Sequence, residues 1–329
     1  MERGGRALTK KGGGRGRGAR GALGGALLLL ALLLGWRGES AAGAHPQPGI
    51  RIKGSESLLR AMEALAEGFQ RKVASRSGDS QVELLAIELT LVDVNGGGSN
   101  AGLSGLVNGH VDLAMASRPI REKERELAQR RVHRDVEERI LAWDGVAVVV
   151  HPANPVNGLW VRQLAEIYGK ESGLLNWSGL GVKVPGCDGG EIHRLSRKNY
   201  SGTYAFLRQA LGLEERRMER ELHYVETPRE IPAKVINDPC AIGYAGMSTQ
   251  SAAVKTLCLA RAGEKCVLPS PESVKDGSYP LARPLYLYHL ERPHPVLQEF
   301  LDYVFSPVGE AVVRQTTGYL PASEVKRRP

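Results

Sequence analysis

The chain has 329 residues, 44 Lys+Arg against 36 Asp+Glu, 42% hydrophobic and 24% charged residues. This composition excludes wholesale disorder, a collagen-like repeat and a polytopic membrane protein, and the length suits one large α/β unit or two lobes. The formal net charge of +8 is uneven: residues 1–44 carry eight basic and two acidic side chains, which leaves the rest of the chain at +2. A nearly neutral body gives no argument for a nucleic-acid partner.

In chain order the first element is a basic, Gly/Arg-rich stretch, followed by the apolar run Ala26–Leu34 and then Ala42-Gly43-Ala44. Basic region, apolar region and small-x-small site are the order of a secretory signal cleaved before His45, which predicts a periplasmic or secreted protein. The apolar run is shorter than the roughly 20 residues of a spanning helix; an uncut membrane anchor is the alternative. No Cys follows the run, so a lipid-modified start is not expected.

From Gly49 onward β-like and helix-like runs alternate. Ile50–Lys53 reads as a strand, and Ser57–Ala74 as a helix with Leu58, Met62, Leu65 and Phe69 on one face. Strands follow over residues 81–94, 111–116, 145–150, 192–195, 241–244 and 285–290, and helices over 100–108, 161–168, 203–211 and 296–316. The run Gly145–Val150 (GVAVVV) has the continuous apolar character of a buried strand in a parallel sheet. The alternation predicts an α/β fold with mixed, mostly parallel sheets. Four cysteines fall in the body, Cys187, Cys240, Cys258 and Cys266. In an exported chain an even count suggests two disulfides, with three pairings open and free thiols the alternative. Cys258 and Cys266 bracket a short polar stretch able to form a hairpin, which favours pairing them and leaves Cys187 with Cys240. The absence of CxxC or CxxH spacing argues against a zinc site.

Three turns before helices are built from Gly and Ser/Thr: Gly54-Ser55-Glu56-Ser57, Gly96-Gly97-Gly98-Ser99 and Ser201-Gly202-Thr203. Helix starts leave backbone N–H groups without partners and carry a dipole that favours an anion. Each turn alone is explained by ordinary helix capping; three of one kind point to convergence on one anion. None has Walker or dinucleotide-fingerprint spacing. A fourth turn, Met115-Ala116-Ser117-Arg118-Pro119, offers a hydroxyl and a guanidinium, and Arg197 precedes the SGT turn by four residues. Arginine suits bidentate recognition of oxyanions. There is no GxSxG elbow or HExxH pair, and His133, His151 and His193 are isolated, so an enzyme is not expected.

The segments KGSESLLRAMEALAEGF, NGGGSNAGLSGLVNGHVDLAMASRPI, WDGVAVVVHPANPV, LAEIYGK with NWSGLG, SRKNYSGTYAF, CAIGYAGMS, YPLARPLYLY and FSPVGEAVVRQTTGYLP run in an order that resembles the phosphate-binding proteins of bacterial phosphate ABC transporters, the PstS family. The resemblance spans roughly Ile50 to Pro321. It implies a two-lobed, type II periplasmic-binding-protein fold with the ligand cleft between the lobes. It further implies that phosphate is held by Ser55, Ser57, Ser99, Arg197, Ser201, Gly202 and Thr203. Ser117 stands where some members of the family place an aspartate that accepts the phosphate proton; Glu56 and Asp144 are the carboxylates that could accept it instead, and Arg118 completes the expected binding set. The lobes expected are 45–145 with 280–329, and 146–279, with crossings near Trp143–Val146 and Ser278–Pro284. A monomer is expected, with inorganic phosphate as ligand, no cofactor, and permease and ATPase subunits of an ABC transporter as partners. A phosphate sensor or adhesive module, or a binder of another tetrahedral oxyanion such as sulfate, are the alternatives.

Overall fold

Alternation of buried and part-exposed residues along Ile50–Gly54 makes it a half-buried strand, β1, and Ser55 then caps the helix α1 (Glu56–Ala74). The computed structural model describes residues 49–75, 92–170, 174–213 and 221–325. The expected signal segment, most of the strand expected over 81–94, and Lys326, Arg327 and Arg328 lie outside the described residues. Among the described residues, no helix is long and apolar enough to cross a membrane.

The chain continues through β2 (Val92–Gly97), α2 (Ser99–Val107), β3 (Leu113–Ala116), α3 (Glu122–Val132) and the long β4 (Val136–Val150). Next come β5 (Gly158–Trp160), α4 (Val161–Tyr168), β6 (His193–Arg197), α5 (Gly202–Ala210) and β7 (His223–Val225). Then follow α6 (Glu230–Val235), β8 (Ala241–Gly246), β9 (Lys255–Ala260), α7 (Pro271–Lys275), β10 (Ala282–Leu290), α8 (Pro295–Val304), α9 (Pro307–Thr317) and β11 (Leu320–Pro321).

The strands form one curled mixed sheet in the order β2-β1-β3-β10-β4-β8-β6-β7, with β9 and β11 also on β4 and β5 on β9. Outer pairs such as β1–β2, β1–β3, β6–β7 and β6–β8 are parallel. The strand containing Gly145–Val150 corrects one expectation: β4 pairs antiparallel with β10, β11, β8 and β9. A continuous apolar run reports burial on both faces, which an internal antiparallel strand shares with a parallel one.

β4 changes partners midway. Its residues Val136–Gly145 pair with β10, and Val146–Val150 pair with β8. The two largest of four buried apolar clusters among the described residues lie on either side of that change. One gathers Ile52, Leu58, Met62, Phe69, Leu285 and Phe300, with the Phe69 and Phe300 rings edge to face at 5.2 Å. The other gathers Val148, Leu164, Trp177, Tyr244 and Leu257. Gly54 is required where β1 meets α1: at φ +148° a Cβ would stand 2.0 Å from the Met115 carbonyl oxygen.

The cysteines pair as Cys187–Cys240 and Cys258–Cys266, with Cα atoms 5.1 and 5.3 Å apart. Their sequence separations of 53 and 8 differ greatly. In the chain-entropy account a long closed loop stabilises by about 4 kcal/mol and a short one by about 2.5 kcal/mol. Replacing both Cys187 and Cys240 by serine therefore lowers the guanidinium unfolding free energy more than replacing Cys258 and Cys266. Equal losses would count against the entropic account.

Candidate anion-binding site

Each of the three Gly/Ser/Thr turns does start a helix. Ser55 Oγ accepts the Ser57 amide at 3.3 Å at the head of α1, and Ser201 Oγ accepts the Thr203 amide at 3.2 Å at the head of α5. Ser99 opens α2 after Gly98. These starts converge although they are far apart in sequence. Ser55 Oγ donates to Ser117 Oγ at 2.9 Å, Ser99 Oγ and Ser117 Oγ are 3.4 Å apart, and Ser57 Oγ and Thr203 Oγ1 are 3.2 Å apart. The Ser117 amide donates to Ser99 Oγ at 3.0 Å. Ser55, Ser57, Ser99, Ser117, Ser201 and Thr203 are all buried.

Gly202 sits against the centre of this cluster. A Cβ there would stand 2.2 Å from Ser99 Oγ and 2.3 Å from Ser117 Oγ, so only the missing side chain allows the approach. The α2 start also touches the loop before α5 directly, its Asn100 amide donating to the Tyr200 carbonyl at 3.4 Å.

Arg197, the last residue of β6, is 1% exposed. Its Nη2 donates to the Glu226 carbonyl at 2.6 Å, whereas Nε and Nη1 have no hydrogen-bond partner among the described residues. Burial pulls this guanidinium below the ordinary arginine value, against the opposing influence of Tyr244 and Glu56. A buried cation with two N–H groups unmatched is costly to maintain, and a bidentate oxyanion would match both.

Two expected binding residues are placed elsewhere. Arg118 turns its guanidinium to Glu124, at 2.6 and 2.9 Å, and to Asn100 and the Pro119 carbonyl. It anchors the chain between β3 and α3 and does not reach the cluster. Burial pushes the Glu124 carboxyl up, and the hydrogen bonds from Arg118 and Arg121 outweigh it, so the group ends below the usual carboxylate range. Glu56 accepts a hydrogen bond from the Gly97 amide on one carboxylate oxygen at 2.6 Å, bracing the turn between β2 and α2. Asp144, the other possible acceptor, is wholly buried and already engaged: Oδ2 accepts from Arg283 at 2.8 and 3.1 Å, and Oδ1 from the Met247 amide at 3.0 Å. Burial raises the Asp144 carboxyl, with Arg283 pulling the other way.

Arg283 is the residue that sequence reasoning missed. It lies on β10 directly opposite Asp144 on β4, and its Nη2 donates to Ser57 Oγ at 3.3 Å. A partial signal was present: Arg283 stands in the largely apolar β10, and Asp144 next to the apolar run Gly145–Val150 of β4. Tyr319 adds a further link, its hydroxyl lying 3.1 Å from the Ser57 carbonyl and 2.7 Å from Ser248 Oγ. A cleft of about 300 Å³ opens beside the cluster, lined by Glu56, Ser57, Arg60, Arg229, Gly246 and Tyr319 among others. Elsewhere His193 and Asp238 contact at 2.8 Å near Cys240, but that sulfur is bonded to Cys187 and offers no thiolate for a metal.

Residues 39–308 match the family model described as a PBP superfamily domain. Among curated proteins, the chain is 28% identical over 280 residues to the protein SphX of Synechococcus elongatus, covering 83% of this chain and 77% of that one. It is 25% identical to the phosphate-binding protein PstS of Pseudomonas aeruginosa, over 82% of this chain and 81% of that one. Among solved structures, it is similar to a phosphate ABC transporter substrate-binding protein from Clostridium perfringens with bound phosphate, at a TM-score of 0.68 and 25% identity, covering 83% of this chain and 99% of that one. An ABC-type phosphate transport receptor from Vibrio cholerae matches at a TM-score of 0.64 and 26% identity, over 82% of this chain and 99% of that one.

Proposed function

The chain belongs to the PBP superfamily, and from that premise we propose that it binds inorganic phosphate in the cell envelope and delivers it to an ABC importer. The observation that carries this reading is the meeting of three helix starts in one hydroxyl-lined cluster, with a buried, incompletely partnered Arg197 ending the strand that leads into the third of them. The helix starts supply oriented N–H dipoles, and Arg197 supplies the single charge-assisted, bidentate contact. In a site shielded from water these bonds are stronger than in solution, so the anion needs no excess of cations.

The two halves of the fold act as lobes, 45–145 with 280–329 and 146–279. Ser55, Ser57, Ser99 and Ser117 come from one, and Arg197, Ser201, Gly202 and Thr203 from the other. An anion that bonds to both favours the closed arrangement by its differential affinity. The protein is a solute-binding protein and not an enzyme. Its N-terminal segment exports it, and permease and ATPase subunits of the importer receive the ligand.

Calorimetric titration of the purified protein, stripped of anion under denaturing conditions and refolded, checks this reading. One phosphate is expected to bind per chain with a dissociation constant of about 1 µM or tighter, some 8 kcal/mol of binding free energy. Absence of phosphate binding would overturn it. The hydroxyl at Ser117 favours a second reading, a broader tetrahedral-oxyanion binder, because a hydroxyl repels a fully ionised oxyanion far less than a carboxylate does. Sulfate displacing phosphate in the same titration is the outcome that supports it.

A further inference from the structure

The hydroxyls of the cluster are not free rotors. Ser55 Oγ accepts from the Ser57 amide at 3.3 Å, Ser201 Oγ from the Thr203 amide at 3.2 Å, and Ser99 Oγ from the Ser117 amide at 3.0 Å. Ser57 Oγ lies 3.3 Å from Arg283 Nη2. Amide N–H and guanidinium groups only donate, so in all four contacts the hydroxyl is the acceptor. Each then has its own proton left to give inward. Ser55 gives it to Ser117, and Ser57 faces Thr203 at 3.2 Å. Three of these orientations are set by backbone at a helix start or strand end. The fourth, at Ser57, is set by a side chain.

We propose that Arg283 is a positioning residue that sets anion specificity, holding the Ser57 hydroxyl as a donor and so favouring tetrahedral oxyanions whose oxygens only accept. The inference rests on the anion-binding reading of this site and deepens it from phosphate toward fully ionised dianions such as sulfate. Asp144 holds Arg283 in place through Nε and Nη2 at 3.1 and 2.8 Å. The Arg283 Nη1 lies 3.4 Å from the Ser117 carbonyl, and the guanidinium carbon lies 5.5 Å from the Phe206 ring centroid. Arg283 thus touches Ser57, Ser117 and Phe206, the last on the helix headed by Ser201. Arg283 and Asp144 are both 0% exposed, and together they are neutral. The contribution of Arg283 is therefore the direction of a hydrogen bond rather than net charge.

Removing Arg283 frees a lone pair on Ser57. Hydrogen phosphate can donate its own proton to that lone pair and recover part of the loss. Sulfate has no proton to give, so its binding suffers more. A brace that merely keeps the fold in shape would weaken both anions alike.

The test is calorimetric titration of the purified protein with inorganic phosphate and, separately, with sulfate. The main variant is Arg283→Met with Asp144→Asn, which exchanges a neutral pair for a neutral pair and keeps an acceptor for the Met247 amide. Arg283→Lys is the second; it retains the ion pair with Asp144 but lacks the second arm to Ser57, and it carries the test if the first variant does not fold. The expected result in either is a sulfate affinity that falls about five- to tenfold more than the phosphate affinity, the scale of one hydrogen bond. In a Ser57→Ala background that difference disappears, because the hydroxyl through which Arg283 acts is gone. Equal losses for both anions, or no loss, overturn the proposal. A wild-type protein that binds phosphate but no sulfate overturns it and leaves the proposed function standing, whereas one that binds neither overturns both.

Discussion

Arg197→Met lowers phosphate affinity by about a hundredfold or more while leaving the ligand-free protein as stable as the wild type. The two halves of this result have one cause. Nε and Nη1 of Arg197 are buried without partners among the described residues, so the side chain is a burden on the fold and a ready contact for an anion. Two charge-assisted bonds contribute about 3 kcal/mol or more to binding, which is a factor of about a hundred. Against this, the fold loses only the bond from Nη2 to the Glu226 carbonyl. Methionine fills similar volume and removes the buried charge. Calorimetric titration with phosphate and a thermal melt without it check both parts. A variant that still binds phosphate within a few-fold of wild type would falsify the assignment of Arg197 as the anion's guanidinium.

Gly202→Ala is expected to weaken phosphate binding at least as strongly, by a steric route. A methyl group at 202 would stand 2.2 Å from Ser99 Oγ, 2.3 Å from Ser117 Oγ and 3.1 Å from the Ser117 carbonyl carbon. The last contact is backbone and cannot swing aside. Position 202 is also the first residue of a helix, where alanine is favoured over glycine by up to about 1 kcal/mol. The helix is therefore locally content, and the clash falls where, on the proposed division into lobes, the two halves approach. A melting temperature equal to or above wild type, together with a phosphate affinity reduced about a hundredfold or more, is the expected pair of readings. Small-angle scattering should then show no contraction when phosphate is added. Normal affinity would mean that the approach of Gly202 to Ser99 and Ser117 is not part of the bound state.

The helix starts were legible because capping is local: Ser55 and Ser201 each satisfy an amide two residues on, which the sequence shows directly. The alternation that predicts α/β order is local as well, although the helix expected over 296–316 is two, α8 and α9, and the alternation did not show β5, β7, β9, α6 or α7. Three things were hidden. The polar helix Glu122–Val132 buries only Ala128, so it has no apolar face to detect. The antiparallel direction of Val136–Val150 depends on strands more than 90 residues away, and an apolar run cannot reveal it. The surroundings of Arg118 and Arg283 were hidden for the same reason. Arg118 sits next to a promising Ser117, yet Glu124 and Asn100 hold it, whereas Arg283 reaches Ser57 only because register sets it opposite Asp144.

Most of the residues that the resemblance proposed lie together, and geometry gives others a different neighbourhood. Ser55, Ser57, Ser99, Ser117, Gly202 and Thr203 lie in one cluster. Glu56 moves from candidate acceptor to a brace for Gly97. That leaves the hydroxyl of Ser117 where an acceptor was sought, which is why anion selectivity is the property most worth measuring.

The sheet order has a consequence for the way the molecule is made. β1, β2 and β3 reach β4 only through β10, so the part of the sheet begun at residue 50 is completed only after residues 282–290 have been synthesised. The segment between them is stapled within itself by both disulfides, Cys187–Cys240 and Cys258–Cys266. The middle of the polypeptide can thus finish first, as an oxidised and self-contained insert. β1, β2 and β3 have no link to β4 until β10, a strand that emerges more than 160 residues after β3.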